Sequence, residues 1–267
     1  MTHAVPDNML ASSRGRVAAS AHLAPGVVIN GACDIGEHCQ IDAGVILDAG
    51  KDGTIVLEDG AHVQAGAVVA GTVIIARQAL VQAGAVVTRD VPPHSVVAGN
   101  PAQIIGYTVS DDHAGRNTVN QAPSAPGVTR SSVRGVTLHR LPKVLDLRGN
   151  LTVGEFGRSV PFDAKRYFMV FGVPNAEVRG EHAHRTCHQF LVCAHGSLAV
   201  VADDGINREE FQLDDPSVGI HLPPLTWGVQ YKYSPDAVLM VFASEFYDAE
   251  EYIRDYADFI RLVEKKD

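Results

Sequence analysis

An aliphatic residue recurs at every sixth position through the first third of the chain. Two positions before each of these residues stands a small or β-branched residue, from Gly15 to Ala85. Hexads of this kind predict a solenoid, in which each hexad forms one flat side of a triangular coil and its aliphatic side chain fills the interior. The repeating aliphatic positions are Val17, Leu23, Ile29, Ile35, Ile41, Leu47, Leu57, Val63, Val69, Ile75, Val81 and Val87.

These hexads predict about four coils of a left-handed parallel β-helix over residues 15–107. The register slips once, because Leu57 follows Leu47 by ten residues rather than six. The extra residues, within 48–53, must therefore bulge out at a corner of the prism. Insertions in solenoids collect on one face, and that face often binds a ligand.

The end of the repeat resembles the closing segment of the hexapeptide-repeat acyltransferases. The resemblance is carried by residues 87–106, Val-Thr-Arg-Asp-Val-Pro-Pro-His-Ser-Val-Val-Ala-Gly-Asn-Pro-Ala-Gln-Ile-Ile-Gly. It implies a trimer of β-helices with acetyl-CoA as co-substrate in the groove between subunits. The residues expected at the acyl-CoA are Gly84, Arg89, Ala98 and Gly99, and His62 is the candidate base of the transfer. An alternative stays open, in which this domain serves only to form the trimer.

Length and composition limit the class of protein. A chain of 267 residues suggests one or two domains, and a net charge of −9 argues against a nucleic-acid partner and a basic membrane patch. The apolar runs are shorter than the ~20 residues that span a bilayer, and the N-terminus lacks the pattern of a signal peptide. We therefore expect a cytoplasmic protein without membrane contacts, whose four cysteines are small buried residues.

Residues 108–132 are polar, rich in Pro and Gly, and without periodicity, which predicts a flexible linker. From residue 133 to residue 267, short apolar strands alternate with turn signals, which favours an all-β barrel as a second domain. Asp248 and Glu251 have the spacing of a capping box, and an apolar stripe that includes Tyr252 follows them. They predict a C-terminal helix.

His182 and His184 stand two residues apart in a predicted strand, so their imidazoles lie on one face. Such a pair suits a metal ion or the transfer of protons. The spacing from the pair to Gln189 and Gly196 resembles the first motif of the cupin β-barrels, in which metal-binding members have Glu in the place of Gln189. Trp227 stands where the second cupin motif would supply another His. An amide and an indole are poor ligands for a transition metal, so we predict a metal-free cupin.

Five segments together resemble the WxcM-like cupins, which are nucleotide-sugar 3,4-ketoisomerases. They are residues 148–155, 161–168, 179–184, 222–233 and 243–248. The resemblance implies conversion of a dTDP-4-keto-6-deoxyhexose into its 3-keto isomer through an enediol, without a metal or cofactor. Some members of that family are fused to a hexapeptide-repeat N-acetyltransferase, which is the arrangement of domains predicted here.

By this resemblance His182 and His184 are the acid/base pair, a task that suits a side chain whose pKa lies near neutral pH. Arg179 is expected to bind the substrate or its phosphates, since a guanidinium binds phosphate through two hydrogen bonds. The other residues expected at the substrate are Tyr167, Gln189, Trp227, Gln230 and Tyr231.

The resemblance places the chain in dTDP-amino-sugar biosynthesis for a surface polysaccharide such as lipopolysaccharide O-antigen. The cupin would make the 3-keto sugar, a separate aminotransferase would add the amine, and the β-helix would acetylate it with acetyl-CoA. A homo-oligomer is expected, as a trimer through the β-helix and with paired cupins. Two alternatives stay open for the cupin: a sugar-nucleotide-binding module without chemistry, and a metal-dependent cupin that takes a further ligand such as Glu181 or His221.

Overall fold

The structure, a computed structural model, describes residues 15–108, 122, 124–174 and 177–265. The chain divides into two compact units, Met1–Thr108 and Val109–Asp267. Each unit has a hydrophobic core of its own, formed by residues 27–97 in the first unit and largely by residues 133–241 in the second. The four cysteines are free and buried, as predicted.

Short strands build the first unit. They are β1 (His22–Leu23), β2 (Val28–Asn30), β3 (Ala32–Ile35), β4 (Gln40–Ile41), β5 (Ile46–Asp48), β6 (Thr54–Leu57), β7 (His62–Val63), β8 (Val68–Ala70), β9 (Val73–Ile75), β10 (Leu80–Val81), β11 (Val86–Val87), β12 (Ser95–Ala98) and β13 (Gln103–Tyr107). They form three sheets, in the orders β1-β4-β7-β10-β12-β13, β2-β5-β8-β11 and β3-β6-β9. From β1 to β11, every third strand therefore lies in the same sheet, as it must when the chain winds around a three-sided prism. The predicted parallel β-helix of about four coils is confirmed.

The alternation of side chains along each strand explains the repeat. In β5, Leu47 is fully buried and Ile46 beside it is 37% exposed, while Val45 just before the strand is fully buried. Successive side chains of a strand point to opposite faces, so the aliphatic residue of a hexad and the small residue two positions earlier both enter the prism.

The predicted insertion lies at a corner. Residues 49–53 separate β5 from β6, whereas Gly31 alone separates β2 from β3 in the preceding coil. Gly31 has φ +85°, and a Cβ atom there would lie 2.4 Å from the carbonyl oxygen of Gly50. The inserted residues therefore fold over the corner that Gly31 makes. At the other end, β13 pairs with β12 in antiparallel orientation and ends the stack of parallel strands.

The second unit is also built from strands. They are β14 (Gly127–Arg130), β15 (Thr137–Arg140), β16 (Lys143–Val144), β17 (Leu151–Thr152), β18 (Arg166–Phe171), β19 (Arg179–His184), β20 (Gln189–His195), β21 (Leu198–Asp203), β22 (Arg208–Leu213), β23 (Val218–Leu222), β24 (Trp227–Tyr231), β25 (Val238–Ala243) and β26 (Tyr252–Ile253), followed by the helix α1 (Tyr256–Glu264). No helix in the described residues is long and apolar enough to cross a membrane.

Two sheets enclose the core of this unit. One has the order β14-β15-β23-β20-β25-β18 and the other β22-β21-β24-β19-β26, while β16 and β17 form a separate hairpin. Leu191 and Leu239 of the first sheet and Val200 and Phe211 of the second belong to one buried cluster. The predicted class, an all-β chain whose sheet-rich second domain ends in a helix, is confirmed.

The second unit begins earlier than the sequence suggested. The predicted linker, residues 108–132, lies mostly outside the described residues, but its last part is ordered. Gly127–Arg130 form β14, which pairs with β15. Ser131 and Ser132 donate hydrogen bonds to the carboxylate of Glu209, so this stretch is fixed to the barrel.

The C-terminal helix starts later than the predicted capping box. Asp248 caps only a short 3₁₀ turn, Ala249–Glu251. Glu251 accepts hydrogen bonds from the backbone N–H groups of Thr186 and Cys187, so its carboxylate is used away from the turn. Tyr252 and Ile253 then join the edge of β19 as β26, and the helix begins at Tyr256 with Asp255 as its N-cap. The prediction of a helix from residue 248 was therefore wrong about its start.

Candidate active site

The two histidines lie on the inner face of the barrel because of a bulge in β19. Gly180 and Glu181 both have positive φ, +85° and +52°, and the register with β24 shifts between Gly180 and His182. His182 then pairs with Gly228, and Gly228 pairs with Ala202 of the core. Paired residues point to the same side of a sheet, so His182 faces inward, and His184 does so two positions later.

Only glycine fits at the start of this bulge. A Cβ atom on Gly180 would lie 2.5 Å from the carbonyl oxygen of Gly228 and 2.9 Å from Oε1 of Gln230. The positive φ of Gly180 also disfavours any residue with a Cβ atom. Gly180, in the Arg-Gly-Glu that precedes the pair, is therefore a structural requirement for where the imidazoles point.

Each histidine is held by one hydrogen bond. The Nδ1–H of His182 donates to the carbonyl oxygen of Gly180 at 2.8 Å, which leaves Nε2 as the nitrogen with a free lone pair. The side-chain amide of Gln189 donates to Nε2 of His184 at 3.0 Å. The imidazoles are 5.0 Å apart between ring centroids and nearly perpendicular.

Burial keeps both imidazoles neutral at physiological pH. It lowers the pKa of His182, although the bond to Gly180 opposes the shift and nearby Arg254 adds to it. Burial, followed by the neighbouring His182, lowers the pKa of His184 to about 4. A neutral imidazole with a free lone pair can accept a proton, so His182 is ready to act as a base through Nε2.

Tyr252 completes the inner face beside the pair. It stands directly opposite His184 in the β19–β26 pairing, and its ring centroid is 4.4 Å from that of His184 and 5.0 Å from that of His182. Arg166 donates a hydrogen bond to the Tyr252 hydroxyl at 3.3 Å, and the guanidinium of Arg254 lies 4.4 Å from the centre of the Tyr252 ring. Sequence reasoning missed Tyr252, because its spacing to Tyr256 fits a helical stripe.

Three of the predicted substrate residues share the face of the histidines. Arg179 pairs with Gln230, and Gln230 pairs with Val200 of the core. The side chains of Arg179 and Gln230 therefore point toward the interior. Gln189 reaches the same face through its bond to His184. Arg179 is exposed, which is consistent with a place at the mouth of the barrel.

The other three predicted substrate residues point away from the pair. Trp227 packs against Tyr256 and Phe259 of α1, with ring centroids 5.1 and 5.6 Å apart. Tyr231 donates a hydrogen bond to Glu210 at 2.6 Å on the same outer face. Tyr167 is 66% exposed, since Phe168 beside it takes the inward position of β18. The alternation of strand side chains thus removes these three residues from the pocket of the histidines.

The polar neighbour of the His pair is a poor ligand for a transition metal. Within the described parts of the chain, no group of three or more His, Cys, Asp or Glu side chains could hold a metal ion. The His pair has an amide, Gln189, as its polar neighbour, and that amide is already bonded to His184. His221, one suggested further ligand, lies on the outer face of the other sheet.

That outer face carries a second group of histidines. A hydrogen bond of 2.9 Å joins Nδ1 of His188 to Nε2 of His221, and Phe162 lies 5.8 and 5.9 Å from the two rings. His139, bonded to Thr137, is 4% exposed nearby. Burial, followed by the positive charge of His188 and His139, lowers the pKa of His221 to about 4.

In the first unit, the residues predicted at acyl-CoA fall at two corners of the last coil. Gly84 lies in the turn between β10 and β11, and the N–H of Val86 in β11 donates to the carbonyl of Gly99 at 2.9 Å. Ala98 ends β12 beside Gly99. Gly84, Ala98 and Gly99 therefore share one corner. Arg89 follows β11 and lies at the next corner.

His62, the candidate base, is paired with a carboxylate. Its Nε2 lies 3.1 Å from Oδ2 of Asp42, and both side chains are partly exposed. His22 occupies the equivalent position two coils below, because His22 pairs with Gln40 and Gln40 pairs with His62.

A two-sheet β-barrel with a His-x-His pair on the inner face of one strand is a cupin. Residues 134–264 match the family model described as FdtA: WxcM-like, C-terminal. The TDP-4-oxo-6-deoxy-α-D-glucose-3,4-oxoisomerase of Aneurinibacillus thermoaerophilus is 41% identical over 123 residues, which cover 46% of this chain and 88% of that protein. The chain belongs to this WxcM-like family.

Solved structures of similar proteins include two ketoisomerases. QdtA, a sugar 3,4-ketoisomerase from Thermoanaerobacterium thermosaccharolyticum in complex with TDP, is 34% identical, with a TM-score of 0.49 and coverage of 50% of this chain and 97% of that chain. The TDP-quinovose 3,4-ketoisomerase WlaRB of Campylobacter jejuni is 35% identical, with a TM-score of 0.47 and coverage of 48% and 99%.

Proposed function

We propose that the second unit is a sugar-nucleotide 3,4-ketoisomerase, which converts a dTDP-4-keto-6-deoxyhexose into its 3-keto isomer without a metal. The 41% identity to the oxoisomerase of Aneurinibacillus thermoaerophilus supports this reaction. The observation that carries it is the hydrogen bond from Nδ1 of His182 to Gly180, because this bond leaves Nε2 as a base on the inner face of the barrel.

The reaction needs a base that removes a proton from a carbon atom of the sugar. The C4 ketone acidifies the C3 proton, which His182 removes through Nε2 to give an enediol. Return of a proton to C4 then leaves the ketone at C3. An imidazole whose pKa lies near or below neutral pH is free to accept the first proton, and positioned acid–base groups typically contribute about 10²–10⁴-fold to a rate.

His184 has a different task in this mechanism. Its Nε2 is engaged by the Gln189 amide, and its pKa of about 4 keeps it uncharged at neutral pH. An uncharged neighbour leaves the basicity of His182 intact, whereas a cation 5.0 Å away would lower it. His184 therefore forms the neutral wall of the pocket and fixes the position of the sugar beside His182.

The diphosphate of the substrate requires cations at the mouth of the barrel. Arg179 and Arg254 are both exposed, and each is linked to the inner face, Arg179 through its pairing with Gln230 and Arg254 through the Tyr252 ring. Guanidinium groups bind phosphate oxygens through pairs of hydrogen bonds. We assign these two arginines to the nucleotide diphosphate.

Proton exchange in D₂O tests the isomerase. With dTDP-4-keto-6-deoxyglucose, the protein should incorporate deuterium at C3 and form the 3-keto sugar, both followed by NMR. His182→Asn should lower both rates by about 10²-fold or more. His195→Asn is the control, because the His195 side chain is exposed and pairs with Asp236, away from the histidine pair.

Two outcomes would contradict the proposal. Tight binding of the sugar nucleotide without exchange or product would make the barrel a binding module. Loss of both rates on dialysis against a chelator, restored by a divalent metal, would make it a metal-dependent cupin.

For the first unit we propose acetyl-CoA-dependent N-acetylation of a dTDP-3-amino-3,6-dideoxyhexose. The pairing of His62 with Asp42 supports this activity beyond a scaffold role. In the tautomer whose Nε2–H donates to Asp42, Nδ1 is a base that can take a proton from the attacking amine. The amine attacks the thioester carbonyl, and coenzyme A leaves as the thiol.

Acetyl transfer has its own assay. Release of free thiol from acetyl-CoA, in the presence of the dTDP-3-amino sugar, should fall by about 10²-fold in His62→Asn. His22→Asn is the matched control, since it removes the same side chain from the equivalent position two coils away. No thiol release by the wild-type protein above background, or no stabilisation by acetyl-CoA in a thermal shift, would leave the scaffold role. Equal, measurable rates in His62→Asn and wild type would overturn His62 as the base.

A further inference from the structure

Tyr252 is the one residue of the β19–β26 pairing that carries a hydroxyl group. It lies directly across from His184, and its ring contacts both imidazoles, at 4.4 and 5.0 Å between centroids. The β-strand that carries it is only two residues long, yet it fixes the ring on the inner face because Ile253 beside it is buried on the opposite side.

Arg166 holds the Tyr252 hydroxyl. One guanidinium N–H donates to that oxygen at 3.3 Å, while the Nε–H donates to the carbonyl oxygen of Glu245 at 3.1 Å. The second bond fixes the guanidinium, so the first is directional. A phenol that accepts a hydrogen bond from a cation becomes a stronger donor through its own O–H, and its phenolate is stabilised.

The proposed isomerisation, on which this inference rests, moves protons at oxygen as well as at carbon. As C3 loses its proton, O4 gains one, and when C4 is protonated, O3 must lose one. His182 serves the carbon atoms, and Nε2 of His184 is engaged by Gln189. No tyrosine of β18 can take the oxygen role, because the inward positions of that strand are Arg166, Phe168 and Val170.

We propose that Tyr252 carries the proton between the two sugar oxygens. Arg166 positions the Tyr252 hydroxyl and stabilises its phenolate. The Tyr252 O–H gives its proton to O4 as the C3–H bond breaks, which leaves a phenolate beside the Arg166 guanidinium. When C4 takes a proton from His182, the phenolate accepts the proton of O3 and the hydroxyl is restored. Both groups end the cycle as they began.

Tyr252→Phe tests the oxygen step separately from the carbon step. The variant keeps the ring against both histidines and removes only the hydroxyl. Product formation should fall by about 10²-fold or more, while deuterium uptake at C3 relative to product should rise by about tenfold, since the intermediate returns to C3 more often than it goes forward. The control is Tyr247→Phe, which removes a hydroxyl from the exposed ring 5.8 Å from Tyr252 and should leave both rates unchanged.

A double-mutant cycle tests the part of Arg166. Arg166→Gln should raise the same exchange-to-product ratio, and the double variant Arg166→Gln/Tyr252→Phe should be no slower than Tyr252→Phe alone. If Arg166 has a purely structural role, the losses of product formation should instead be additive, and the exchange-to-product ratio should not change. Tryptophan fluorescence checks that each variant is folded.

The outcomes separate this inference from the proposed function. Turnover of Tyr252→Phe within threefold of wild type, or a loss of product with an unchanged exchange-to-product ratio, would overturn the role of Tyr252 and leave the isomerase intact. Absence of C3 exchange and product in the wild-type protein would overturn the isomerase itself.

Discussion

Buried histidines make this barrel sensitive to acid. His221 has a folded-state pKa of about 4, below the ordinary value, because burial and the neighbouring His188 and His139 disfavour its cation. Between pH 6.5 and 4 the unfolded chain binds a proton that the native protein does not. Stability is therefore present above the unfolded pKa and is lost as the pH falls toward 4.

His221→Gln should reduce this loss. From pH 7 to pH 5, wild type should lose about 2 kcal/mol more of its unfolding free energy than the variant, as expected for one histidine with these pKa values. Urea titrations at both pH values, followed by the fluorescence of Trp227, the single tryptophan of the chain, measure the difference. The exposed His195, changed to Gln, is the control, and equal pH dependence in all three proteins would contradict the assignment.

Gly180 is the residue that sets the direction of His182. Gly180→Ala should lower stability by about 1–3 kcal/mol and reduce C3 exchange, because the methyl group meets the carbonyl of Gly228 in a backbone that already has positive φ. Gly172→Ala separates the two causes, since Gly172 also has positive φ but nothing lies within 4 Å of an added Cβ atom. If the rate of C3 exchange falls by the same factor in both variants, the close contact at Gly180 is not what places the imidazole.

At the scale of elements, the segment after β25 decides what the active site contains. Its sequence alternates between features of a strand and features of a helix within a dozen residues. The 3₁₀ turn, β26 and α1 follow one another, and β26 brings the Tyr252 ring to the inner face beside the histidines. A helix from residue 248 would have placed Tyr252 on the packing face with Tyr256, rather than opposite His184.

The contributions of the two caps of this segment to stability can be measured separately. Asp255→Ala should destabilise the barrel by about 1 kcal/mol, because Asp255 accepts the N–H of Asp258 at the start of α1. Asp248→Ala should cost less, since Asp248 caps only a three-residue turn. Urea midpoints read through Trp227, which packs under α1, give both values. A larger loss for Asp248→Ala would favour a helix that starts at the capping box.

The elements whose pattern is local were predictable from the sequence. The hexads predicted every coil, because interior positions recur with a fixed period. The His-x-His spacing alone placed His182 and His184 on one face. Trp227, Tyr231 and Tyr167 were misplaced because a strand has two faces and the sequence motif does not say which one is inside. Tyr252 and Arg166 come to the site through pairings between distant strands, which no local pattern contains.

At the scale of the whole molecule, the chain has two cores with different construction. The first is a stack of aliphatic residues repeated along a prism, and the second lies between two sheets of a barrel. Solenoid stability is close to a sum of contacts between neighbouring coils, so damage to one coil acts first on the coils beside it.

We therefore expect a cavity in the solenoid to leave the barrel intact. Leu47→Ala removes a fully buried side chain and should cost about 2–5 kcal/mol, which would speed hydrogen exchange of peptides around β5 and β8 by tenfold or more. Peptides of β20 and β25, the fluorescence of Trp227 and the rate of C3 exchange should not change. Ile46→Ala, at the neighbouring exposed position, is the control and should have a small effect everywhere. Faster exchange in β20 and β25 of Leu47→Ala would mean that the two cores unfold as one cooperative unit.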